Sequence, residues 1–392
     1  MIVLTEAKPV RPPRKQPRSD RLNDRWISIM HSLVGVENAI VSDATPPIRQ
    51  ARRAIMRFLA NLDGEPKDWN ANQLNFLLER RIRSAVEASM RSLKGDFDEL
   101  PRRWILVQAR ALLRSIPGSR VVALRDHIQQ TADRRRLKRL RQTAGLPPLT
   151  EDEPLVPRTT TGLSIADQLP GILDELFRIL GDDEMEAYLQ TDEARTYIGA
   201  AGRALNRTTD RVSDALAKIA RFEGETDDIV DEAGHILRQA ERDIETIART
   251  QAQVISFDSF EILMEYAGPL VDVIKYTTML DARVCLRCAA ASRRHSKGLS
   301  PGLYRVNDPE MPEIPIHNLC RCAYVPVPKG APPPRDETYD QWLKRQSDAK
   351  QREILGASRY DLFKSGVPAD RFVNNRLRII KVVDLPGASR KK

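Results

Sequence analysis

Four cysteines and one histidine carry the chemistry that is legible first. Cys285 and Cys288 are two residues apart, and His317, Cys320 and Cys322 fall within six positions of one another. A two-residue gap lets both thiolates of a Cys-x-x-Cys pair reach one ion from a tight knuckle turn, and tetrahedral zinc takes four such donors. Five are on offer. Cys285, Cys288 and Cys320 lead as ligands, with His317 or Cys322 as the fourth. Four protein ligands close the shell and leave no place for an activated water, so the expected site is a structural zinc. Two blander readings compete. Disulfides between the pairs would suit an oxidising compartment, and free buried thiols with an ordinarily hydrogen-bonded His317 need no metal. The four cysteines are all that the 392-residue chain has, and they lie within 38 residues. A disulfide framework would instead spread along a small secreted domain.

The elements that must position these residues are of two kinds. After a basic, proline-rich arm over 1–20, which cannot bury a core, the chain turns helical over 21–142. Leu74, Leu78, Ile82, Ala85 and Val86 recur at spacings of three and four and make one apolar stripe. Pro101 is placed to open a new helix through Trp104, Val107 and Ala111. Pro117-Gly118 breaks it, and a further helix runs from Val121 to Arg141. Residues 143–160, with Pro147, Pro148, Pro154 and Pro157 among acidic side chains, read as a linker. Helix resumes over 161–227. The stripe Ile229, Ala233, Ile236, Ala240, Ile244 and Ile247 predicts another helix ending around Thr250.

Beyond Gln251 the pattern changes. Val271, Val273, Ile274 and Tyr276 through Leu280 suggest a short strand leading into the first cysteine pair, and Ala323 through Val327 suggest a second. Between them lies a loop rich in Gly and Pro. Tyr339 to Ser365 reads as helix. The expected fold is mainly α, with a long helical N-terminal body, a small α+β cysteine-rich module over 228–328 and a helical tail over 329–392.

Charge adds a second theme. The net charge is +9, and its cations cluster. Lys8, Arg11, Arg14, Lys15, Arg18 and Arg21 lie along the arm. Arg134, Arg135, Arg136, Lys138, Arg139 and Arg141 crowd one helix end, and Arg390, Lys391 and Lys392 close the chain. Such blocks bind phosphate through counterion release, whatever the base sequence, which points to non-specific contact with double-stranded DNA. A solvated helix face is the plain alternative. Aromatic residues make up only 5% of the chain and none interleave with these clusters, which argues against a base-stacking platform. No run of eighteen apolar residues is present to cross a membrane.

The string Asp281-Ala-Arg-Val-Cys285-Leu-Arg-Cys288, followed by Pro315-Ile-His317-Asn-Leu-Cys320-Arg321-Cys322, resembles the signature of the phage Mu F-like head-morphogenesis family. Upstream, Ile247-Ala-Arg249-Thr250 resembles the helix that opens that domain. Downstream, Tyr339-Asp-Gln-Trp342-Leu343 and Gln351 through Gly356 to Leu362-Phe363 resemble a tail found in many members. The likeness covers roughly residues 228 to 385. It departs after the first cysteines, where many members have an Asp-Gly pair and this chain has Ser292-Arg-Arg-His295-Ser-Lys-Gly298. The resemblance implies a non-enzymatic minor capsid protein, made in the host cytoplasm and resident in the virion, inside the head or at the portal vertex. Its implied partners are the portal protein, the major capsid and scaffold proteins, and packaged DNA.

Two other functions fit parts of the pattern. A zinc-dependent nuclease could be framed by the cysteine pairs, with His317-Asn318 as part of its motif, but only His295 among the five histidines lies near His317 in sequence. A zinc-ribbon nucleic-acid-binding protein would share the ligands and the basic clusters, yet leave the Arg249-Thr250 and Trp342-Leu343 segments unexplained. The acidic pairs Asp182-Asp183 and Asp227-Asp228 read as helix starts and not as a catalytic set.

Overall fold

The computed structural model describes residues 18–61, 71–113, 118–148, 226–281, 284–331 and 337–385, with Pro333 and a few positions between 178 and 211. The arm over 1–17, most of the linker, most of the region 161–225 and the basic C-terminus lie outside the described residues. So do Asp182 and Asp183.

Four helices precede the linker: α1 (Arg18–Ala44), α2 (Pro46–Ala60), α3 (Ala71–Leu113) and α4 (Gly118–Thr143). After it, α5 spans Thr226–Ala267. Apolar positions at helical spacing make the body. Ile40, Val41, Ile48, Ile55 and Leu59 from the first two helices meet Ile82, Val86, Leu93 and Phe97 of α3 and Leu237, Ile244 and Ile255 of α5. Helices α1 and α2 run antiparallel to α5, because Glu37 meets Gln253, Arg49 meets Glu241, and Met56 packs onto Gly234.

Two boundaries differ from the sequence reading. Pro101 starts no helix; it sits inside α3, which is continuous. Phe97 and Leu100 before it, and Trp104 and Ile105 after it, are all buried, and this packing outweighs the hydrogen bond that proline cannot donate. Likewise α5 does not stop near Thr250. Ile255, Phe260, Leu263 and Met264 continue its buried stripe for four more turns, so residues that resemble strand by type are held helical by tertiary contact. Asp227 and Asp228 fall in its first turn, as a helix start requires.

The module that follows is a three-stranded antiparallel sheet of order β2-β1-β3, with β1 (Val271–Thr278) central between β2 (Leu303–Arg305) and β3 (Cys322–Pro328). Strand β2 was not legible as a strand. Gly302, just before it, has φ +79, and a Cβ there would stand 3.0 Å from the Ser292 carbonyl oxygen. Only glycine permits that close pass. Leu303, Tyr304 and Ile314 are buried, so the stretch between the cysteine pairs contributes to the core more than its glycines and prolines suggest.

A short helix α6 (Leu286–Ala291) follows β1. The C-terminal segment is three short helices and not one: α7 (Tyr339–Lys344), α8 (Asp348–Leu355) and α9 (Ala357–Lys364). Thr338 and Gln341 form a capping box on α7, Ser347 caps α8, and Gly356 at φ 74 ends it. These helices fold back on the module and share its core through Trp342, Leu355 and Phe363. Arg293 binds Asp340 and Asp370, and Arg294 reaches the carbonyls of Asn374 and Asn375, tying tail to module. The mainly α architecture with a small cysteine-bearing sheet near the C-terminus is thus the fold of this chain. Among the described residues, no helix is long and apolar enough to cross a membrane.

Candidate metal centre

Each candidate ligand is placed by an identifiable local device. Cys285 is the N-cap of α6, its sulfur accepting the Cys288 N–H at 3.4 Å, so the first pair sits on a helix start and not in a free loop. Cys288 lies one turn on, buried. His317 and Cys320 are brought together by a tight turn in which the Cys320 N–H donates to the His317 carbonyl at 3.1 Å. Within that turn Leu319 adopts φ 60, a left-handed conformation costing a non-glycine residue roughly 1–2 kcal/mol. Cys322 opens β3, opposite Thr278 of β1.

All five donors converge. His317 Nε2 lies 2.9 Å from Cys285 Sγ and 3.1 Å from Cys288 Sγ, and Cys288 Sγ lies 3.8 Å from Cys320 Sγ. Two sulfurs on one tetrahedral zinc at about 2.3 Å stand about 3.8 Å apart, so the last separation suits a shared ion. The donors form two overlapping triads, Cys285–Cys288–His317 and Cys288–Cys320–Cys322, with Cys288 common to both. Each is compact enough to hold a metal.

The two contenders for fourth ligand are held by different neighbours. His317 Nδ1 lies 2.6 Å from the Asn318 carbonyl oxygen, an acceptor, so Nδ1 carries the proton and Nε2 faces the sulfurs. That orientation is typical of a metal-bound imidazole. Cys322, fully buried, directs its thiol to Thr278 Oγ1 at 3.4 Å. His317 thus belongs to the triad with Cys285 and Cys288, and Cys322 to the triad with Cys288 and Cys320.

Electrostatics agree with a site that wants a cation. A hydrogen bond from the Cys288 thiol holds Cys285 down to about 4, with His317 adding to the effect. Hydrogen bonds from Cys288 and Cys322 hold Cys320 down to about 2. Cys288 is raised in turn by its bond to Cys285, and Cys322 by burial. His317 is raised chiefly by its bond to Cys285. Thiolates packed this closely need positive charge among them. No family model, no curated protein and no solved structure matches this chain.

Charged partners brace the centre. Arg321, between Cys320 and Cys322, closes on Asp281 with both guanidinium nitrogens at 2.5 and 2.6 Å. Arg287 donates to the Ile316 carbonyl at 2.6 Å, holding the start of α6 against the strand of residues that leads into His317. Sequence reasoning passed over Asp281, Arg287 and Thr250 as brace residues, although the first two lie within four residues of a cysteine. His295, the other histidine of the module, bonds only the Arg293 carbonyl among the described contacts and is not part of the cluster.

The second predicted site lies elsewhere. Arg135 is taken up structurally, bound to Glu265 and stacked 5.7 Å over the Tyr266 ring of α5. That anchor holds α4 so that Arg136, Lys138 and Arg139 are exposed, while Arg134 and Arg141 are half-buried. The arm cations from Lys8 to Lys15 lie outside the described residues.

Proposed function

We propose that this chain is a minor head protein of the Mu F-like type, an assembly component whose C-terminal module is built around one structural zinc ion. The observation that supports it best is the clustering of Cys285, Cys288, His317 and Cys320 about Cys288, in the motif order of that family, with the imidazole Nε2 turned to the sulfurs. Zinc fits the donor set of three thiolates and one imidazole better than a hard cation does. Four protein donors use up the coordination shell. His295 stays outside the cluster among the described residues, so a structural role suits the site better than hydrolysis.

In this reading the helical body and module dock on portal or capsid surfaces inside the head, and α4 offers Arg136, Lys138 and Arg139 to packaged DNA. Purified phage heads supply the test. The chain should be recovered in heads at low copy number, its reading frame should lie beside portal and terminase genes, and zinc should accompany it. Heads that never contain the chain, or a metal-dependent cleavage of DNA lost on substituting Cys285, would replace this reading with the nuclease.

A further inference from the structure

One turn of α5 touches two parts of the molecule at once. On one side, Gln253 donates from Nε2 to Glu37 Oε1 of α1, and Arg249 Nη1 stands 3.8 Å from Glu37 Oε2. On the other, Thr250 Oγ1 accepts the N–H of Leu319 at 3.2 Å. Leu319 is the left-handed residue of the turn that presents His317 and Cys320. Glu37 is 1% exposed, so a carboxylate has been taken out of water for this contact. One helical turn before it, Leu33 packs against Trp104 of α3 and Val325 of β3, so the same face of α1 also meets the sheet. Burial raises the Glu37 carboxyl to about 7, while Arg249 and Arg321 act to lower it. Glu37 in turn is among the groups that raise Arg321, the residue between Cys320 and Cys322.

We infer that Arg249, Thr250 and Gln253 form a brace that couples docking of α1 through Glu37 to the turn holding His317 and Cys320, so that metal loading and seating of α1 favour one another. The inference rests on the metal reading above and adds to it a linkage between body and module. Its physical basis is reciprocal. A metal that fixes His317 and Cys320 also fixes Leu319, whose N–H then holds Thr250 and its turn in place. An α1 seated by Glu37 orients the same turn from the other side, and linkage requires each equilibrium to strengthen the other by the same factor. Groups one layer outside metal ligands change affinity by about 10- to 100-fold when lost. The α1 contact is a further step removed and should sit near the lower end.

The full chain tests this in two arms. Zinc affinity is measured by competition with a chromophoric chelator for the wild type, Thr250→Val, Glu37→Gln and the packing control Leu59→Ala. Hydrogen exchange over residues 31–44 is followed with and without chelator. The brace requires about tenfold weaker zinc binding in Thr250→Val and a clear loss in Glu37→Gln. It also requires faster exchange across 31–44 on metal removal, and little change of affinity in Leu59→Ala, which opens the body core at α2 away from α1 and from the polar brace. If Leu59→Ala weakens zinc as much as Glu37→Gln, generic packing explains the effect and the brace is overturned. A wild type that binds zinc while exchange over 31–44 ignores the chelator overturns the coupling alone. A wild type that takes up no metal overturns the metal reading and this inference with it.

Discussion

Arg321 and Asp281 face each other across the mouth of the cysteine cluster as a two-pronged ion pair, both bonds within 2.6 Å. The arginine belongs to the Cys-Arg-Cys step and the aspartate to the segment just after β1, so the pair staples the second cysteine group to the chain that leads into the first. Bidentate geometry makes it stronger than an ordinary surface pair. Arg321→Lys should keep the charge but lose the fork, costing about 1–2 kcal/mol of module stability by thermal denaturation. An unchanged melting temperature would show the pair to be ornamental.

Ligand identity can be decided by substitution. Elemental analysis of the purified chain should find about one zinc per polypeptide, as a closed four-donor site requires. Cys285→Ser, Cys320→Ser and His317→Ala should each lose it. Cys322→Ser should retain it, because that thiol bonds Thr278 and stands outside the triad that holds His317. Retention in His317→Ala with loss in Cys322→Ser would reverse the assignment.

Metal removal should have a local result. Chelation or Cys285→Ser should expose residues ~275 to 325 to protease, since binding energy at a structural site is folding energy. The far part of the body should stay folded, because Ile48, Ile55, Leu59, Ile82, Leu93 and Leu237 form a core of their own. Complete unfolding under the same treatment would mean that body and module are one cooperative unit.

Tyr324 is a further point of leverage. Its ring lies 5.5–6.4 Å from those of Phe257, Phe260, Tyr276 and Tyr304, and its hydroxyl donates to the Pro312 carbonyl. Tyr324→Phe should cost about 1 kcal/mol, and Tyr324→Ala about 3–5 kcal/mol. Calorimetry of both variants would expose a site that collapses around the smaller residue if the two losses were equal.

A pH effect should originate in the body. Burial, helped by the neighbouring Asp43 and opposed by Arg103, raises Asp96 from the ordinary 3.8 to about 6. The folded chain therefore holds this proton where the unfolded chain has released it. Its contribution is greatest below pH ~4 and is lost as pH rises to ~6, so stability falls across that window. Asp96→Asn should flatten that segment of the stability profile; an unchanged slope would assign it to other groups.

DNA contact is tested by salt. Reversing Arg136, Lys138 and Arg139 to glutamate should weaken binding to duplexes of any sequence and reduce the salt slope by roughly one unit per lost phosphate contact. Arg135 is left intact because it anchors α4 to Glu265. A slope that survives the reversal would make these residues solvated surface.

Much of this molecule was legible before any coordinates, and the limits have physical causes. The cysteine cluster was readable because metal ligation demands residue types that few other roles require. Strands β1 and β3 were readable from β-branched and aromatic runs. Pro101 misled because proline's local preference carries no knowledge of the buried stripe on both sides of it. The extension of α5 past Thr250 was hidden for a related reason: Ile255, Phe260 and Met264 are helical by what they pack against. The contacts of Thr250 and Glu37 join residues 69 and 216 positions apart, a separation at which a single sequence holds no signal.

The outer edge of β3 carries a final consequence. Pro326 and Pro328 lie on a strand that pairs only with β1, and neither can offer an N–H to a newcomer. That edge is therefore a poor template for a strand from another copy. Chains crowded together at high local concentration would thus be kept from adding strands along β3, and only the short three-residue edge of β2 is left on the other side.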